Sequence, residues 1–190
     1  NGCKIGQFST LKIPVAPNFV GFRRLFQARS GHCFIVPGNT FDNVPGQFPI
    51  GFFTWHTDDK QPVGEIIADV FDKDGEPMGT KRLAVEQDVR SINDWIITTR
   101  NRTGEKNIGF MSAKGCDFQN QNYIFIINNK SQLPHPRGTQ ITDMNLKEIA
   151  VYLAVRHSVK KNWLNDRDQF TEPRTSWIND TESQNDCLAY

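Results

Sequence analysis

Two nearly continuous apolar runs, His32-Cys33-Phe34-Ile35-Val36 and Phe48 through Trp55, are separated by eleven residues rich in turn formers, Pro37 to Gln47. A strand with one face in water alternates apolar and polar side chains. A run that does not alternate is buried on both faces, as in a sheet covered by helices. The pair therefore predicts an α/β fold, with strands over 32–36 and 48–55. Phe41 is the one aromatic residue in the loop between them.

The flanking sequence fits that frame. Lys4 to Thr10 alternates weakly and predicts a strand closed by Pro14 and Pro17. Asn18 can cap a helix to about Arg29, with Phe22 and Phe26 on one face. Glu65–Phe71 and Met78–Val85 flank Asp72-Lys73-Asp74-Gly75, a hairpin signal. A calcium loop aligned on Gly75 would place Val70 first and Lys81 twelfth, where carboxylates are required, so the hairpin is the better reading. Ser91 to Thr98 is ambiguous between helix and strand, whereas Ile108–Met111 and Tyr123–Ile127 predict a second strand pair. Asn145 and Glu148 form a capping box opening a helix to about Lys161, apolar on most sides and so buried. The organisation expected is 1–60 as strands of an α/β sheet, 61–130 as a β-rich hairpin region, 131–140 as a Pro/Gly linker and 141–190 as a helical region.

Charge is uneven. Lys4, Lys12, Arg23, Arg24 and Arg29 face only Asp42 in the first 57 residues, a local +4, so with +1 overall the remainder carries −3. The same stretch holds nine of the fourteen Phe. Basic and aromatic character together suit an anionic ligand that stacks, and nucleic acid has both properties. A Phe-rich core with a few solvated bases is the plainer alternative.

Other chemistry is sparse. Cys3, Cys33, Cys116 and Cys187 include no CxxC pair and the four His are scattered, so no metal site is expected and the thiols read as buried and free. Such cysteines suit a reducing cytoplasm. No apolar run approaches the ~20 residues of a membrane span. GxSxG, GxxxxGK[ST], HExxH and GxGxxG are absent. Asp166 and Asp168 flank Arg167, which favours ion pairing and capping over acid–base work, and no catalytic residue is assigned.

Longer words carry more information. Phe8-Ser9-Thr10-Leu11-Lys12, Pro17-Asn18-Phe19 with Phe22-Arg23, Asn39-Thr40-Phe41-Asp42-Asn43-Val44 and Gly46 through Trp55 occur in that order. Cys116 through Tyr123 and Trp163-Leu164-Asn165-Asp166-Arg167-Asp168-Gln169-Phe170 follow. Together they resemble the adenine-specific (N6) DNA methyltransferases of bacterial restriction–modification systems, over nearly the whole chain.

The resemblance implies the latter half of a doubly wound methyltransferase-like sheet, with 4–12 its fifth strand, 18–29 the helix after it, and 32–37 and 48–56 its sixth and seventh strands, the last antiparallel. An α+β region with hairpins and a buried helix would follow. It implies a target-base pocket at Phe41, with Phe48 second; the basic excess of the same stretch offers Lys4, Lys12, Arg23 and Arg24 as DNA contacts. The family's glycine-rich S-adenosylmethionine loop and its D/N-P-P-Y/F tetrapeptide are missing, since no Pro-Pro occurs. The chain starts at Asn1 and ends in an apolar Cys187-Leu188-Ala189-Tyr190 run, so it reads as a cut portion of a larger enzyme and is expected to be inactive alone. S-adenosylmethionine would be the cofactor of the parent protein and not of this portion. The implied partners are double-stranded DNA, the remainder of the same polypeptide and a restriction endonuclease, fused or separate; no membrane is implied. The alternative is a non-catalytic DNA- or protein-binding module.

Overall fold

The computed structural model describes residues 2–83, 89–99, 106–134 and 138–190. The chain divides into two compact units, Asn1–Asp88 with Asn162–Gln169, and Val89–Lys161 with Phe170–Tyr190. It therefore leaves the first unit, builds most of the second, and returns for eight residues before finishing the second.

The first unit is a six-stranded mixed sheet. In chain order its elements are β1 (Lys4–Thr10), α1 (Lys12–Val15), α2 (Val20–Leu25), β2 (Arg29–Ser30), β3 (Phe34–Pro37), β4 (Pro49–His56), β5 (Ile66–Phe71) and β6 (Pro77–Leu83). The spatial order is β1-β4-β3-β5-β6, with β2 beside β4. β4 runs antiparallel to both β1 and β3, so those two are parallel to each other, and β3 pairs with β5 in parallel. The helix expected from Asn18 to Arg29 shrinks to α2 preceded by a single 3-10 turn, Pro17–Phe19. Phe26 is extended backbone beyond it, which sets its ring edge-on to Trp55 at 5.3 Å.

Burial of β4 corrects the expectation of two covered faces. Pro49, Gly51, Phe53 and Trp55 are buried, whereas Ile50, Phe52, Thr54 and His56 are only half-buried. The run looked continuous because its half-open face also carries apolar side chains. Leu11, Ile35, Phe53, Trp55, Ile66 and Val70 form the core on the closed side, where each large side chain contributes about 1.5–3 kcal/mol. Gly51 is required there: a Cβ would lie 2.6 Å from the Phe53 ring. The β5–β6 hairpin forms as read, with Asp72 Oδ1 accepting the backbone N–H of Asp74 and Glu76, so that carboxylate serves the turn. The expected Ala84 and Val85 end of its second strand lies outside the described residues.

The second unit contains α3 (Ile92–Ile97), β7 (Asn107–Ser112), β8 (Phe125–Ile127), β9 (Thr139–Thr142), α4 (Leu146–His157), α5 (Thr175–Ile178) and α6 (Thr181–Ala189). Its antiparallel sheet has the order β8-β7-β9. Ser91 resolves the ambiguous 91–98 segment as helix, because its hydroxyl accepts the Asp94 N–H as an N-cap. The 131–140 segment read as a linker lies inside this unit and runs into β9; residues 135–137 fall outside the described set. α4 is buried as expected along Ile149–Tyr152, but Asn145 does not cap it by its side chain. Its amide instead accepts from Thr142 N–H and donates to the Gln140 carbonyl, bracing the end of β9.

Candidate functional site

β1, β3 and β5 run parallel, so Thr10, Pro37 and Phe71 lie at the same end of the sheet, the end where ligands of open α/β sheets bind. The β3–β4 loop stands there. It opens with a 3-10 turn, Gly38–Thr40, and Phe41 follows, its N–H bonded to the Gly38 carbonyl at 3.1 Å. Asn43, at φ 62°, and Gly46, at φ 107°, turn the chain back. Gly38 N–H then donates to the Phe48 carbonyl at 2.7 Å and closes the loop at its base.

Aromatic rings gather beneath the loop. Phe8, Phe52 and Phe34 are direct cross-strand partners on β1, β4 and β3, so they stand in a row on one face. Phe8 and Phe52 are 4.8 Å apart, and Phe52 and Phe34 stack at 5.3 Å. Phe52 lies over Gly6, where a Cβ would come within 2.8 Å of its ring. Phe71 meets Phe34 edge-on at 6.3 Å, and Phe41 meets Phe8 edge-on at 5.3 Å. Phe8 remains 55% exposed, so the row is a surface feature and not a second core. Pattern reading missed this row, although its signal was the matching apolar residues of the three strands.

The two loop aromatics differ. Phe41 is half-buried and outside the core, with its ring against Phe8. Phe48 is held more closely: a Cβ on Gly38 would lie 3.2 Å from its ring, and the Arg167 guanidinium sits over it at 5.5 Å. Sequence reasoning did not connect Arg167 with this loop.

The basic residues also divide. Lys12 follows β1 at the loop's end of the sheet, whereas Lys4 begins β1 at the opposite end, paired in register with His56. Both are exposed, as is Arg24. Arg23 departs from the expected surface cation. It is 2% exposed, and its Nη1 donates to the Ile13 and Ala16 carbonyls at 2.9 Å each, tying α1 to α2.

Among the described residues, no three His, Cys, Asp or Glu side chains come together as a metal would need. The four cysteines form no disulfide with one another; Cys33 is buried and Cys3 is exposed, unlike the buried thiols expected. Burial pushes the Cys33 and Cys116 thiols up, away from the thiolate a nucleophile needs. No helix among the described residues is long and apolar enough to cross a membrane. Neither a known protein family, nor a curated protein, nor a solved structure matches the chain.

Proposed function

We propose that this chain is a portion of a DNA N6-adenine methyltransferase, supplying the target-base pocket and DNA contacts and inactive by itself. The observation that carries the reading is Phe41, half-buried in a loop at the carboxyl ends of two parallel strands and braced by Phe8. The parallel β1 and β3 with β4 antiparallel agree with the strand directions the resemblance implies. A methyl donor cannot reach an adenine amino group inside a duplex, so the base is flipped out and needs a stacking surface. One aromatic under one base is worth about 1–3 kcal/mol. S-adenosylmethionine binding belongs to the longer protein, because the glycine-rich loop and the D/N-P-P-Y/F loop are not among these residues.

The test is Phe41→Ala, read by anisotropy with a labelled duplex bearing one extrahelical adenine. The expected loss of affinity is about 5- to 150-fold, the range that 1–3 kcal/mol gives. Binding should also weaken with salt, as phosphate contacts from exposed bases such as Lys12, at the loop's end of the sheet, require. Unchanged affinity, with a large loss of folding stability, would make Phe41 a packing residue and remove the reading.

The absent donor motifs also favour a second reading, a non-catalytic module that binds DNA or protein through the same aromatic surface. The coding DNA upstream of Asn1 separates the two. A frame encoding both missing loops supports the enzyme; a start codon near Asn1 with neither supports the module.

A further inference from the structure

The eight-residue return to the first unit is a strap with anchors at both ends. At its start, Asn162 N–H donates to Asn165 Oδ1 and Asn165 N–H to Asn162 Oδ1, at 2.7 and 2.9 Å. Trp163 and Leu164 pack against the core of the sheet. Near its end, Lys81 of β6 donates to both carboxylate oxygens of Asp168 at 2.8 Å and to the Leu164 carbonyl at 2.7 Å.

Between these anchors stands Arg167, its Nε 3.6 Å from Asp166 and its guanidinium over Phe48. Gly38 also lies close to the Phe48 ring, and Gly38 and Phe48 are the two feet of the β3–β4 loop, joined by a 2.7 Å backbone bond. A ring covered only by apolar groups could slide. A planar cation over its face, itself tethered by a neighbouring carboxylate, sets where the ring lies.

We propose that Arg167 is a positioning residue for the β3–β4 loop: the strap, fixed by Lys81 and the core, presses the Arg167 guanidinium on Phe48 and so holds Phe41 ready before any ligand arrives. The value of that arrangement to binding rests on the base-stacking role proposed above for Phe41. A loop ordered in advance does not spend ligand affinity on its own ordering.

Hydrogen exchange on Arg167→Met and Arg167→Lys tests the positioning without nucleic acid. The hydrogen-bonded loop amides of Gly38, Phe41 and Val44 should exchange about tenfold faster in Arg167→Met, with partial rescue by Lys, while β5 and β6 keep their protection. Unchanged loop exchange, or acceleration throughout the sheet, overturns the proposal. Binding of a labelled oligodeoxyadenosine supplies the second arm. Arg167→Met should weaken it about fivefold at an unaltered salt slope, and the double variant with Phe41→Ala should bind no worse than Phe41→Ala alone. Additive losses with a salt slope reduced by about one would make Arg167 a direct phosphate contact and overturn the proposal. Faster loop exchange with no effect of either variant on binding upholds the positioning and removes the base-stacking reading.

Discussion

Two arginines show how little a residue type says about its place. Arg23 and Arg24 are adjacent, yet the first is buried and the second exposed. Nothing in the pair itself distinguishes them; carbonyls seven and ten residues upstream decide. Arg156 goes further. It is wholly buried and donates to the Gly115 and Asp117 carbonyls and the Tyr152 hydroxyl, at 2.6, 3.1 and 2.6 Å. Arg156→Leu would leave those acceptors, the Tyr152 hydroxyl buried and the two carbonyls half-buried, without their donor, so a loss of about 3 kcal/mol is expected in urea denaturation. Asp168 gives a pH signature. Burial pushes its carboxyl above the usual range, against the pull of Lys81. The folded chain then keeps that proton to higher pH than the unfolded chain does. Its contribution to stability is full below the ordinary value of about 3.9 and falls as pH rises through the higher folded value. Asp168→Asn should remove that falling component from a plot of unfolding free energy against pH; an unchanged slope would assign it to other groups.

At the scale of elements, the sequence was most legible where local chemistry decides. The Asp72–Gly75 turn is such a place, since Gly75 sits at φ 86° with open space around it. Gly75→Ala should therefore cost about 1–2 kcal/mol through backbone strain alone, measurable as a shift in the thermal midpoint. β1, β3, β4 and α4 were legible for a similar reason, each carrying its own apolar pattern. Legibility failed where distant partners decide. Phe26 leaves the helical conformation to meet Trp55, and Asn145 braces β9 when a cap was expected. The candidate site divides along the same line. Phe41 could be placed in the loop between two strands from local signals, whereas Phe48 was read as the first residue of the second strand and lies one residue before it. The strap under Arg167 depends on Lys81 meeting Asp168, 87 residues away. No local rule connects those two.

For the whole molecule, the informative feature is the order in which the chain visits its two units. Trp163 packs on the first unit's core although it follows most of the second in sequence. Trp163→Ala should accordingly lower protection of the β4 amides around Phe53 and Trp55, by about 1.5–3 kcal/mol in hydrogen exchange. Unaltered exchange in β4 would mean that the strap adds nothing to that core. The same visiting order sets a timetable during synthesis. A ribosome adding about 5–20 residues per second takes roughly 4–16 s to travel the stretch of about 80 residues from Asp88 to Gln169. Throughout that interval the nascent sheet waits with Lys81 unmatched by Asp168 and the seat of Trp163 open to solvent. A holdase chaperone that favours exposed apolar surface has its window then, and loses it when the strap emerges.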